Sequence, residues 1–200
     1  MVLYRSRLEL VMNIQPILVS TGLVAVAEIG DKTQLLAMLL AARFRKPAPI
    51  IAGIFVATIA NHLLAATVGV LAGHLLEGPW AHWILGLAFL AFGGWALIPD
   101  TFEDSDAPKE KPGASIFITT VVAFFFVEMG DKTQVATVAL AARFHDIFLV
   151  ATGTTLGMML ANVPAVFLSQ AVADKLPLTY IRWAAAATFA AIGIWILVTG

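Results

Sequence analysis

Long apolar runs separated by short polar punctuation organise this chain. A helix needs about 20 mostly apolar residues to cross the hydrocarbon core of a bilayer. Six runs meet that requirement, roughly Ile14 to Ala42, Pro49 to Gly73, Trp80 to Ile98, Ser115 to Ala142, Phe148 to Val172 and Leu178 to Thr199. The breaks carry turn and charge signals: Arg43-Phe44-Arg45-Lys46-Pro47, Glu77-Gly78-Pro79, Arg143-Phe144-His145-Asp146 and Asp174-Lys175-Leu176-Pro177. Connections that short predict a compact bundle. Only Pro99 to Gly113, with acidic and basic residues and three prolines, reads as a linker, and it divides the chain in half.

Composition makes the membrane reading firm. Of the 200 residues, 60% are hydrophobic and 12% charged, and the mean hydropathy is +0.90. That leaves too little polar surface to cover a water-facing globule. A net charge of −1 without a Lys/Arg run excludes a nucleic-acid partner. The absence of cysteine removes thiolate metal sites, disulfide scaffolds and cysteine nucleophiles. Arg5, Arg7 and the small-residue stretch Ala25-Val26-Ala27 mimic a signal peptide. The residues just beyond recur in mid-chain, where no signal peptide lies, so the first segment is expected to be a retained helix.

That recurrence is the most informative pattern. Glu28-Ile29-Gly30-Asp31-Lys32-Thr33-Gln34 returns as Glu128-Met129-Gly130-Asp131-Lys132-Thr133-Gln134, and Leu40-Ala41-Ala42-Arg43-Phe44 returns as Leu140-Ala141-Ala142-Arg143-Phe144. The same shift of 100 aligns Gly53, Trp83, Phe89, Gly93 and Trp95 with Gly153, Trp183, Phe189, Gly193 and Trp195, while Asn61 and Asn162 pair one residue out of register. Each half has three runs, an odd number, so the second half enters the membrane from the opposite side. The expected fold is therefore all-α and integral to the membrane. It is one domain over residues 1–200, with six transmembrane helices as two inverted three-helix repeats, 14–98 and 114–199, joined by the 99–113 linker. Inverted repeats meeting around a midplane site are the architecture of secondary transporters. The side opposite the termini carries Arg43, Arg45, Lys46, Lys109, Lys111 and Lys175, so the positive-inside rule puts the linker in the cytoplasm and both termini outside.

The repeated motif carries the chemistry. On a continuous helix Glu28, Asp31 and Lys32 share a face. Ionisable groups within a span cost about 2.5 to 3.5 kcal/mol each and face a bundle interior or a wet cavity. If the two clusters meet, the carboxylates of Glu28, Asp31, Glu128 and Asp131 and the ammonium groups of Lys32 and Lys132 leave two net negative charges, suited to one divalent cation. Oxygen is the plentiful donor, with Thr33, Thr133, Gln34, Gln134, Asn61 and Asn162 as neutral additions, and such hard ligands suit Ca²⁺, Mn²⁺ or Mg²⁺. Met129 is a nearby soft donor that more often serves packing. Gly30 and Gly130 permit close helix approach or a local break. Carboxylates that bind a cation also bind protons, and competition for them couples the two fluxes. The blander alternative pairs Glu28 with Lys32 and Glu128 with Lys132 as structural ion pairs. Duplication at matching places favours a transport site. Gln34, Gln134, Asn61 and Asn162 are readable either as ligands or as interhelical hydrogen-bonding groups. His62 has no second ligand at helical spacing and reads as a packing or hydrogen-bonding residue. The tryptophans lie near helix ends, as an interfacial belt does.

The two hexapeptides, EIGDKT at Glu28 to Thr33 and EMGDKT at Glu128 to Thr133, resemble the paired E-x-G-D-[KR]-[TS] motifs of the GDT-type cation/proton exchangers. The resemblance extends over all six runs and is nearest the bacterial, MneA-type manganese exporters in length and in lacking a targeting extension. It implies a secondary transporter rather than an enzyme, with no prosthetic group, exporting Mn²⁺, with Ca²⁺ the alternative ion, in exchange for protons. It places the acidic ligands at Glu28, Asp31, Glu128 and Asp131. The implied partners are the metal ion and the lipid bilayer of a bacterial inner membrane, with a homo-oligomer left open. Two other classes compete. An exporter of a small organic solute such as an amino acid would need an apolar pocket and a site for the solute's own carboxylate. An intramembrane aspartyl protease would need unpaired aspartates, whereas each here precedes a lysine.

Overall fold

The computed structural model describes residues 2–75, 78, 80–99, 115–168 and 178–199, with the side chains of 2–13 and 178 excepted. Among the described residues there are eight helices and no strand. They are α1 (Val2–Glu28), α2 (Lys32–Phe44), α3 (Pro47–Leu75), α4 (Ala81–Ala96), α5 (Ile116–Glu128), α6 (Lys132–Phe144), α7 (Ile147–Phe167) and α8 (Leu178–Thr199). The linker expected after Pro99, the break at Asp174 to Pro177 and the end of the run expected to reach Val172 lie outside the described residues.

Three helices are long and apolar enough to cross a membrane, Pro47–Leu75, Ile147–Phe167 and Thr179–Thr199, and they are accompanied by shorter apolar helices at Ile14–Glu28, Ala81–Ala96 and Ile116–Glu128. Two expected elements need correction. The runs Ile14 to Ala42 and Ser115 to Ala142 are not continuous; each is two helices, α1 with α2 and α5 with α6, parted at residues 29–31 and 129–131. Gly30 and Gly130 cause the break. Their φ values of 82° and 81° lie in the left-handed region, where a residue with a Cβ is disfavoured by about 1–2 kcal/mol. Asp31 and Asp131 follow in extended conformation, with ψ of 165° and 166°, as the N-caps of α2 and α6. Glu28 and Asp31 thus stand on either side of a break and not on one helical face.

The central pair is α3 and α7, which pack on each other. Against α7 lie α1 and α2, against α3 lie α5 and α6, and α4 pairs with α8. Close approach requires glycine at matching places. A Cβ on Gly53 would lie 2.7 Å from Thr120 Cβ, and one on Gly153 would lie 2.8 Å from Ser20 Cβ. Phe89 and Phe189 meet across α4 and α8 with ring centroids 6.4 Å apart. Leu64, Val68, Leu71, Leu87, Phe126, Phe148 and Ile194 are exposed, whereas Glu28, Asn61, His62, Glu128 and Asn162 are buried. Apolar side chains outside and charged ones within suit a bundle immersed in lipid. Trp80, Trp83 and Trp183 are exposed near helix starts, where an interfacial belt would put them.

Candidate cation site

The two breaks aim the acidic residues. A helix interrupted between a glutamate and an aspartate leaves backbone amides without intrahelical partners, and the side chains of the motif supply them. Gln34 Oε1 accepts from the Gly30 amide at 2.8 Å, and Gln134 Oε1 accepts from the Gly130 amide at 2.6 Å. Gln34 Nε2 also donates to the Ala161 carbonyl on α7 at 3.1 Å. Both glutamines therefore brace the breaks. Asp31 Oδ2 accepts from the Thr33 amide at 3.3 Å, capping α2.

Each threonine hydroxyl reaches back across its break to the glutamate. Thr33 Oγ1 donates to Glu28 Oε2 at 2.6 Å, and Thr133 Oγ1 donates to Glu128 Oε1 at 2.6 Å. The hydroxyl fixes one carboxylate oxygen in each half and leaves the other, Glu28 Oε1 and Glu128 Oε2, buried without a hydrogen-bond partner. The asparagines repeat the pattern. Asn61 Nδ2 donates to the Phe125 carbonyl at 3.0 Å, Asn162 Nδ2 donates to the Met158 carbonyl at 3.2 Å and contacts Met158 Sδ at 2.9 Å, and both Oδ1 atoms are buried and unpartnered.

Carboxylate oxygens of Glu28, Glu128 and Asp131 lie within 4.8 Å of one another. Two oxygens on opposite sides of one Ca²⁺ are separated by about 4.6–5.2 Å, twice the metal–oxygen distance. The cluster thus has the dimensions of a cation site before any contraction. Three carboxylates so close repel one another strongly away from water, and a cation or protons must offset that repulsion. Lys32 Nζ supplies part of the compensation, 3.4 Å from Asp131 Oδ1. The lysine crosses between the two copies of the motif, so the pairing of Glu28 with Lys32 along one helix is not what forms. Lys132 Nζ donates to the Ile98 carbonyl at 2.9 Å, just past the end of α4, and lies 6.0 Å from the Trp95 ring centroid.

Several candidates from the sequence stand elsewhere. Asp31 is buried but is not one of the three clustered acids. Met129 is half exposed. The sequence reads His62 as a packing or hydrogen-bonding residue. It is fully buried, both ring nitrogens lack hydrogen-bond partners, and Nε2 lies 4.0 Å from Glu128 Oε1. Its neighbour in the site comes from another helix, so ligand spacing along α3 could not reveal it; adjacency to Asn61 was the available signal.

The profile of the family described as the divalent cation/proton antiporter GDT1 matches residues 16–104 and 116–200. A protein of Vibrio cholerae serotype O1 named "Putative manganese exporter" is 48% identical over 182 residues, covering 90% of this chain and 88% of its own. GDT1-like protein 5 of Arabidopsis thaliana is 27% identical over 216 residues, covering 90% of this chain and 94% of its own. GDT1-like protein 4 of the same plant is 28% identical over 196 residues, covering 78% and 84%. No solved structure matches the chain.

Proposed function

The chain belongs to the divalent cation/proton antiporter GDT1 family, and we propose that within it the protein exports Mn²⁺ in exchange for protons. Glu28, Glu128, Asp131 and Asp31 hold the ion in the course of an alternating-access cycle. The observation that carries this reading is the cluster of three carboxylates within 4.8 Å, together with buried, unpartnered oxygens on Glu28, Glu128, Asn61 and Asn162. Buried donors already oriented by Thr33, Thr133 and Met158 need little reorganisation to receive a cation. The same oxygens accept protons when the cation leaves, so one set of groups serves both fluxes in turn. Ca²⁺ is the alternative cargo, because an all-oxygen set also accepts it.

The fold supports the transport cycle. Equivalent glycine contacts, Gly53 on Thr120 and Gly153 on Ser20, and equivalent breaks at Gly30 and Gly130 support two inverted halves of three crossings. In that arrangement a broken helix pair, α1 with α2 or α5 with α6, serves as one crossing, with its irregular backbone facing the site. The positive-inside count supports a bacterial inner-membrane orientation with the central linker cytoplasmic and the termini outside.

The test is ion flux in proteoliposomes under an imposed pH gradient, with Mn²⁺, Ca²⁺ and Mg²⁺ compared and internal pH followed by a dye. The wild-type protein is expected to move Mn²⁺ against protons. Glu28→Gln and Glu128→Gln, which keep shape and remove charge, should each lower flux at least 100-fold while the protein stays monodisperse. Proton-coupled transport surviving in both variants would overturn the site.

A further inference from the structure

We infer that His62 donates an imidazole nitrogen to the transported ion, making the site selective for first-row transition-metal dications over Ca²⁺ and Mg²⁺; this rests on the reading of Glu28 and Glu128 as ion-binding groups. A buried imidazole normally satisfies at least one nitrogen, and an orphaned polar group inside a protein calls for a physical reason. His62 leaves both nitrogens without a hydrogen bond while fully buried. Its Nε2 faces Glu128 Oε1 at 4.0 Å. That spacing is too long for a hydrogen bond and falls between the adjacent and opposite ligand separations around a single dication, about 3 to 5 Å from the usual metal–ligand distances. On the same helix the preceding residue, Asn61, holds an unpartnered Oδ1, so α3 presents an oxygen and a nitrogen in adjacent positions.

The nitrogen has no twin. Pairing Asn61 with Asn162 aligns His62 with Val163, so the glutamates and asparagines are contributed by both halves and the imidazole by one. Symmetric oxygens alone would accept Ca²⁺ and Mg²⁺ readily, because these hard cations prefer oxygen ligands. Replacing one oxygen by a neutral imidazole nitrogen penalises them relative to first-row transition-metal dications, whose affinity for such a mixed site rises from Mn²⁺ through Fe²⁺ to Co²⁺.

Pulsed EPR of the purified full chain loaded with Mn²⁺ alone tests the contact directly. The wild type should show nitrogen hyperfine modulation that changes on ¹⁵N-histidine labelling, is lost in His62→Gln and persists in His74→Ala. In proteoliposomes His62→Gln should reduce the Mn²⁺ to Ca²⁺ ratio of kcat/KM about tenfold. Bound Mn²⁺ without histidine modulation in the wild type, a measurement that needs no variant to fold, overturns the inference, as does an unchanged ratio in His62→Gln. Glu128→Gln separates the two levels: if it abolishes Mn²⁺ binding while the histidine signal is absent from the wild type, only the His62 assignment falls. Undiminished Mn²⁺ binding in Glu128→Gln would overturn the carboxylate site and this inference with it.

Discussion

The hydroxyls of Thr33 and Thr133 do for their glutamates what outer hydrogen bonds do for a metal ligand: they hold one carboxylate oxygen in place and leave the other without a hydrogen-bond partner. A hydrogen bond to a charged group contributes about 1.5–3 kcal/mol, which corresponds to roughly 10- to 100-fold in binding. Thr33→Val, close in shape but without the hydroxyl, should raise the KM for Mn²⁺ by that factor, and Thr33→Ser should restore it. Unchanged KM in the valine variant would remove the hydroxyl from the mechanism. The acids were conspicuous in the sequence, because charge within an apolar run stands out and recurs in both halves. His62 was not, since an isolated histidine in a helix acquires meaning only from Glu128 on a different helix. The glutamines were legible only as polar. Which role they took depended on amides at Gly30 and Gly130 that become orphaned once the helix breaks.

At the scale of elements, apolar run length located the long helices well: Pro49 to Gly73 falls within α3 and Leu178 to Thr199 coincides with α8. It failed at the two motif-bearing runs because hydrophobicity reports where a segment can lie, while one backbone dihedral at glycine decides whether it is continuous. Helical spacing applied across Gly30 therefore put Asp31 on one face with Glu28, whereas it stands past the break as the N-cap of α2. Two glycine substitutions separate the physical causes. At Gly130 a Cβ would meet nothing within 4 Å, so Gly130→Ala bears only the conformational penalty at positive φ, about 1–2 kcal/mol. At Gly53 the added Cβ would crowd Thr120, so Gly53→Ala must separate α3 from α5. Thermal unfolding in detergent should show a small loss for Gly130→Ala and a larger one for Gly53→Ala. Transport should reverse that order, because Gly130 sits in the break that aims Glu128 and Asp131. Equal effects on unfolding and flux in both variants would deny the break a special function.

The whole molecule is less symmetric than its sequence. Among the described residues Asp131, and not Asp31, stands with Glu28 and Glu128. If inverted halves exchange roles between the two faces of the membrane, the opposite state would bring Asp31 in and release Asp131. Asp131→Asn should then weaken Mn²⁺ binding in the conformation described here, whereas Asp31→Asn should leave binding in place and stop turnover, a split that equilibrium binding and flux assays on the same preparations resolve. Charge balance around the cluster leads to a further expectation. Lys32 offsets Asp131, leaving the two glutamates as the charges that cargo must neutralise. One divalent cation does so, and so do two protons, and in each case the loaded cluster is neutral before it passes through the low-dielectric bundle, where an unbalanced charge is costly. Exchange of one Mn²⁺ for two protons would then move no net charge. A potassium diffusion potential set with valinomycin should leave the rate of pH-driven Mn²⁺ flux unchanged in either polarity. A rate that rises with one polarity and falls with the other would mean that a charge travels uncompensated, and that Asp131 or Asp31 carries a proton of its own through the cycle.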